Sequence, residues 1–164
     1  MPTYDALKLL HIRLICGKDV QRFYPDIVMC VHKSPPETKR LAYLILAQLQ
    51  EPEESQNALM PINLLHKETQ VREPLRRADA LKTLVEMSVD EVHPWLYTVV
   101  KQLCYDVNPY VRKTALICLL KLQDLTEFNA TEYHAEVLEL IEHGMKDPAI
   151  EIRSLALVCG SVLI

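Results

Sequence analysis

From Val107 to Leu122, apolar side chains fall at Val111, Ala115, Leu119 and Leu122, the spacing of one helix face. Leu116 and Cys118 widen the stripe, as expected of a helix that touches neighbours on two sides. Asp106-Val107-Asn108-Pro109 marks its start: acceptor side chains suited to an N-cap, then a proline whose missing N–H costs nothing in a first turn. Similar stripes occur at Phe23, Ile27, Val28 and Val31, and at Val92, Trp95, Leu96, Val99, Val100 and Leu103. Trp95 follows Pro94 and is expected in a first turn, packed at a junction between repeats. Val20–Val31, Asn57–Lys67, Glu91–Tyr105 and Glu132–Met145 read as helices that partner the proline-opened ones, and Tyr4–Cys16 is expected to pair with Val20–Val31. No stretch alternates in the strand period for long enough to compete. The pattern predicts an all-α chain of about eight helices.

The helix starts repeat. Pro109…Arg112…Ala115-Leu116 aligns without a gap on Pro74…Arg77…Ala80-Leu81, and Pro36…Lys39…Ala42-Tyr43 fits as a further copy. Pro148…Arg153…Ala156-Leu157 follows with an insertion after its proline. The aligned alanines, Ala42, Ala80, Ala115 and Ala156, are 38, 35 and 41 residues apart. That period belongs to two-helix repeats of the HEAT or armadillo kind, so the expected architecture is a right-handed α-solenoid of helix pairs, one segment over residues 1–164. The small alanine would let neighbouring helices approach closely. A cation near a helix N-terminus is badly placed for the helix dipole, so Lys39, Arg77, Arg112 and Arg153 call for partners. The expected partner is an aspartate in the adjacent repeat's turn, with Asp106 and Asp147 the candidates, making a structural ladder between repeats. The turns at Gln50–Ser55, acidic, and Glu68–Glu73, polar, are too short for domain linkers.

Composition narrows the function more than the fold. The 164 residues are 49% hydrophobic and 24% charged with net charge −4, which disfavours both disorder and the wrapping of nucleic acid. Three isolated glycines cannot form a phosphate-cradling loop. His11, His32, His66, His93, His134 and His143 are scattered, and no cysteine pair has zinc spacing. Cys16, Cys30, Cys104, Cys118 and Cys159 are expected to be free thiols buried as small hydrophobes. The Asn129-Ala130-Thr131 glycosylation triplet has no secretory signal to give it meaning. No apolar run approaches the roughly 20 residues of a membrane span. The expectation is a soluble intracellular chain with no cofactor, no metal, no small-molecule substrate and no catalysis.

Two blocks resemble a known family. Gly17-Lys18-Asp19-Val20-Gln21-Arg22-Phe23-Tyr24-Pro25-Asp26-Ile27-Val28, followed by Lys39-Arg40-Leu41-Ala42-Tyr43-Leu44, resembles the N-terminal trunk of β-type adaptins. These are the large β subunits of adaptor complexes that build clathrin-type vesicle coats. Asn108-Pro109-Tyr110-Val111-Arg112-Lys113-Thr114-Ala115 and then Lys121-Leu122 are similar to that family's repeat signature, and order and spacing match across residues 5 to 122. The repeat at Glu73-Pro74 departs from the Asp-x-Asn-Pro form. The family trunk runs to several hundred residues, so the resemblance implies a fragment or a reduced version of it. Without a hinge or an appendage domain, clathrin recruitment is not assigned to these residues.

The resemblance implies a non-catalytic scaffold subunit in vesicle-mediated protein transport, cytoplasmic and peripheral on endomembrane or plasma-membrane coats. Its implied partners are a second large subunit and medium and small adaptor subunits, with cargo and membrane phosphoinositide engaged by the assembly. Lys8, Arg13, Lys18, Arg22, Lys33 and Arg40 are the candidates for anionic-lipid contact, set against the plainer reading of a solvated charged face. The alternative is a HEAT-repeat regulatory scaffold of the phosphatase or nuclear-transport-receptor type; the bare period fits it, whereas the Gly17–Val28 block argues against it.

Overall fold

A computed structural model describes residues 3–49, 59–87, 93–124 and 130–163. Among them are nine α-helices, one more than the pattern's count of about eight, a single 3-10 turn at Gln21–Phe23, and no strand. The helices are α1 (Tyr4–Ile15), α2 (Tyr24–Lys33), α3 (Pro36–Leu46), α4 (Leu59–Glu68), α5 (Pro74–Glu86), α6 (His93–Cys104), α7 (Pro109–Asp124), α8 (Ala130–Met145) and α9 (Ile150–Leu163). The expected acidic turn at 50–55, the helix starts at Asn57 and Glu91, the stripe position Val92 and Asn129 of the glycosylation triplet lie outside the described residues.

The chain divides into two compact units, Met1–Met87 and Ser88–Ile164. In the first, α2 packs on α3 and α4 on α5, and the two pairs stack with α2 against α4 and α3 against α5. α1 lies along α3 and does not, as the sequence pattern suggests, pair with α2, which is taken up by α3 and α4. In the second, the pairs are α6 with α7 and α8 with α9, stacked with α7 against α9 and α6 against α8. Each unit is therefore two helix hairpins laid side by side, the neighbour-to-neighbour packing of repeat proteins.

Local signals place the helix ends. Pro36, Pro74 and Pro109 are each the first helical residue, where a fixed φ and an absent N–H suit the position. Asn108 caps α7 by accepting the Tyr110 amide on Oδ1 at 2.9 Å. α1 ends at Gly17, whose φ of +69° lets the Gly17 amide reach the Leu14 carbonyl and the Lys18 amide the Arg13 carbonyl, both at 2.9 Å. That closure satisfies two terminal carbonyls, and only glycine adopts it without strain.

The cores follow the stripes. Ile27, Val28 and Val31 are buried in the first unit, and Leu96, Val99, Val100, Leu103, Val111, Leu116, Leu119 and Leu122 in the second. Each such side chain contributes about 2 kcal/mol. The aligned Ala42, Ala80, Ala115 and Ala156 are all fully buried. At Ala156 the reason is visible: a Cβ built on Gly144 of α8 would stand 3.0 Å from the Ala156 Cβ and 3.2 Å from Leu116 Cδ1. Two small residues thus set the separation of α8 and α9. Cys30, Cys104, Cys118 and Cys159 are buried, but Cys16 is exposed. It occupies the C-cap of α1, where the chain turns out through Gly17, so its apolar neighbours in sequence do not enclose it.

Candidate functional site

The aligned basic residues share one backbone address. Lys39, Arg77, Arg112 and Arg153 are each the fourth residue of their helix, and their amides bond the carbonyls of Pro35, Glu73, Asn108 and Ala149. Copy four therefore carries no insertion. Asp147 stands six residues before Arg153 as Asp106 stands six before Arg112; Pro148 simply falls in the turn and Ile150 opens the helix.

That address lets an arginine fold back over its own turn. Nη1 of Arg112 donates to the carbonyls of Asp106 (2.8 Å) and Val107 (3.1 Å). Nη1 of Arg153 donates to those of Asp147 (2.8 Å) and Pro148 (2.9 Å). Nη1 of Arg77 does the same with Val71 (2.9 Å) and Arg72 (2.7 Å). Each arginine thus reaches the carbonyls six and five residues before it, which tightens the turn and offsets the cation's unfavourable place on the dipole. Turn acids do complementary work: Asp106 Oδ1 accepts the Asn108 amide and Asp147 Oδ1 the Ala149 amide, each at 2.8 Å.

Arg112 and Lys39 reach across to the neighbouring hairpin. Arg112 grips Asp147 with Nε on Oδ2 at 2.6 Å and Nη2 on Oδ1 at 2.9 Å. The Asp147 side chain is only 3% exposed. Two parallel bonds in a dry site make this the strongest form of the pair. They hold the Asp147 carboxyl below its usual range against the upward push of burial, and raise the Arg112 guanidinium.

Lys39 reaches a different partner from the expected turn aspartate. Its Nζ donates to Glu68 Oε1 at 2.8 Å, at the C-terminal end of α4. The other Glu68 oxygen accepts from the Tyr43 hydroxyl at 3.0 Å and Arg76 Nε at 3.0 Å, with Arg76 Nη2 alongside. Burial alone would lift the Glu68 carboxyl, but Lys39, Arg76 and Tyr43 together hold it below the usual range. The same burial, with the Glu68 charge beside it, drives the Tyr43 phenol upward. The sequence pattern marks Tyr43 only as a repeat position and does not mark Arg76. The polar tail of α4 running into a proline-opened helix was the available signal for Glu68, and Tyr43, four residues after Lys39, the signal for the hydroxyl.

A third crossing joins Lys101 of α6 to Glu136 of α8 at 2.7 Å, with both side chains about half exposed. Arg40 pairs with Asp79 at 3.3 Å across α3 and α5, beside a shallow depression of about 230 Å³ lined by Tyr43, Leu44, Lys82 and Glu86. The cations considered for lipid are carried on separate elements, with Lys8 and Arg13 on α1 and Arg40 on α3. Arg22 lies 4.6 Å over the Phe23 ring, Lys18 follows the Gly17 turn, and Lys33 ends α2. Lys8 and Arg13 of α1 point about 140° apart. Among the described residues no group of three His, Cys, Asp or Glu side chains could hold a metal, and no helix is long and apolar enough to cross a membrane. Cys104 is closely surrounded: burial, then Cys118 and Cys159, push its thiol up to about 12, far from the range of a reactive nucleophile.

Stacked helix hairpins bound by side-chain rungs, with no convergent reactive groups among the described residues, define a helical-repeat protein. Residues 4–160 match the family model described as the adaptin N terminal region, and the chain belongs to that family. It is 34% identical over 121 residues to AP-1 complex subunit beta-1 of Homo sapiens, covering 74% of this chain and 13% of that protein. The Saccharomyces cerevisiae AP-1 complex subunit beta-1 is 31% identical over 123 residues, 75% of this chain and 17% of the relative. AP-3 complex subunit beta-1 of Bos taurus is 30% identical over 159 residues, 97% of this chain and 14% of the relative. The chain thus spans less than a fifth of the length of these relatives.

Proposed function

We propose that this chain is a non-catalytic scaffold of a vesicle-coat adaptor complex, working in intracellular protein transport by binding other adaptor subunits along its stacked hairpins. The single observation that carries this reading is the adaptin match across residues 4–160, continued in relatives from two different complexes, AP-1 and AP-3. A rigid surface suits such work: hairpins pinned by Arg112–Asp147 and Lys39–Glu68 present side chains in fixed register, so partner recognition costs little ordering. In this reading residues 1–164 act together as one adaptin-type segment, peripheral on endomembrane or plasma-membrane coats. The rungs keep it in shape, with Lys39, Arg77, Arg112, Arg153, Asp106 and Asp147 as the structural positions. No nucleic acid or small-molecule substrate takes part. The phosphatase-scaffold and nuclear-transport alternatives draw on the helix period alone and are not favoured by these relatives.

Affinity capture of the native protein, with cross-linking and mass spectrometry, tests the reading. Recovery of a second large subunit with medium and small adaptor subunits is expected; a phosphatase catalytic subunit or nuclear-transport cargo in their place would overturn it. Contact with phosphoinositide is a separate element, resting on Lys8, Arg13, Lys18, Arg22, Lys33 and Arg40. Flotation with vesicles containing phosphatidylinositol bisphosphate should fall several-fold when Lys8, Lys18 and Lys33 are changed to Glu. Unchanged flotation would remove membrane contact from the proposal and leave the scaffold role standing.

A further inference from the structure

The depression between α3 and α5 is built in register. Arg40, Leu44 and Ala47 on one side, and Asp79, Thr83 and Glu86 on the other, each follow the spacing of one helix face. The groove therefore runs along both helices for two turns, about 10 Å. Most of its polar groups are already engaged. The Tyr43 hydroxyl donates to Glu68 and the Thr83 hydroxyl to the Asp79 carbonyl, and Lys82 and Glu86 have interactions of their own. Arg40 differs. Its side chain is 65% exposed and meets Asp79 through Nε at 3.3 Å, whereas Arg112 and Arg76 each put both Nε and Nη2 on their carboxylates. Nη1 and Nη2 of Arg40 have no partner among the described residues. Asp79, whose side chain is only 16% exposed, steadies the guanidinium from behind and leaves its outer edge open.

We propose that this groove binds an extended peptide segment of a partner protein, with a carboxylate side chain two positions from an aliphatic one. The carboxylate takes the Nη1–Nη2 edge of Arg40 in two parallel bonds. The aliphatic side chain covers Leu44, which is 50% exposed, and Ala47 beside it. The spacing agrees: residues two apart in an extended chain share a face and stand about 7 Å apart, and Leu44 lies about 6 Å along α3 from Arg40. A volume of about 230 Å³ is small for a cofactor and suits one side chain with its backbone.

Charge favours a peptide over a phosphorylated headgroup at this place. The lining is balanced, Arg40 and Lys82 against Asp79 and Glu86. A single carboxylate beside an apolar side chain meets Arg40 without crowding the acids, whereas a polyphosphate, or a second acid at the Glu86 end, is repelled. The inference stands whether or not the adaptor reading does, since it is read from peptide binding by the chain alone. The vesicle flotation above leaves Arg40 unchanged, so lipid contact and peptide binding are tested apart.

The probes are two hexapeptides, each with a glutamate and a leucine two positions apart among serines, one in each order. Titrated into the nitrogen-15-labelled full chain up to millimolar concentration, at least one should shift the amide signals of Leu44, Ala47 and Thr83 along a saturable curve. Glutamine for glutamate in the peptide, or Arg40→Gln in the protein, should weaken binding about fivefold, and the two changes together no more than either alone. Leu44→Ser should weaken it as well. Arg40 and Leu44 are both exposed, so the variants should stay within about 2 °C of the wild-type thermal midpoint, measured on the same samples. No groove shifts with either peptide, or equal binding of the glutamate and glutamine forms, would overturn the proposal. So would inositol trisphosphate shifting these amides where neither peptide does, since Arg40 would then serve a phosphate.

Discussion

The two units meet the same demand with different chemistry. In Ser88–Ile164 a single arginine both caps and crosses: Arg112 covers two turn carbonyls with one nitrogen and grips Asp147 with two others. In Met1–Met87 the equivalent residue is Lys39, whose single nitrogen reaches Glu68, and Tyr43 and Arg76 complete that carboxylate. The turns explain the choice. Between α2 and α3 there are only Ser34 and Pro35, so the carbonyl six before Lys39 belongs to Lys33 at the end of α2 rather than to an open turn. There a point charge on a flexible stem reaches across to Glu68 without folding back over the turn. A repeat position is thus defined by what its turn exposes as well as by its charge.

The sharpest way to break the comparison is Glu68→Ala. It strands Lys39 and Arg76 in a largely buried site and should cost about 3–5 kcal/mol, seen in urea unfolding as a lower midpoint. A loss below about 1 kcal/mol would mean that water already screens the cluster. Arg112→Ala follows at about 3 kcal/mol, since it leaves the buried Asp147 charge without its counter-ion. Arg112→Lys should recover less than half of that loss, because one ammonium cannot replace the several bonds of the guanidinium. Full recovery would erase the distinction drawn between the units.

Acid should separate them further. The Asp147 and Glu68 carboxyls both titrate lower in the folded chain than in the unfolded one. Each therefore contributes stability that is complete above the unfolded pKa and is lost as pH falls through the lowered folded value. Thermal midpoints measured from pH 7 to pH 3 should begin to drop at about pH 4. Asp147→Asn should flatten part of that drop and Glu68→Gln another part; parallel curves for wild type and both variants would exclude either carboxyl as the source. The smallest effect is expected for Lys101→Ala, within about 2 °C of wild type, because both ends of that pair stand in solvent.

Much of this arrangement is readable in the chain itself. Proline, a basic residue three positions on and an alanine three further fix the helix starts and the buried side, because φ, dipole and close approach each act within one or two turns. The partner of Lys39 is harder, since it lies 29 residues away on a helix end that only stacking brings near. Pro148 misleads for a local reason: it opens a turn instead of a helix, and only the hydrogen bonds of Arg153 restore the frame. Cys16 shows the limit of composition, for its apolar neighbours Ile12 and Ile15 are exposed along with it.

The uneven burial of the thiols gives the molecule a built-in clock. Cys16 is open to an alkylating reagent in the native state, Cys30 is shut inside the first unit, and Cys104, Cys118 and Cys159 are shut inside the second. Each shielded sulfur can react only during an excursion that bares it. Peptide-resolved alkylation rates therefore time the opening of the two halves separately, on one polypeptide and without added labels. A common rate for Cys30 and the other three would mean that the halves breathe as one; two rates would mean that one half can loosen while the other keeps its grip.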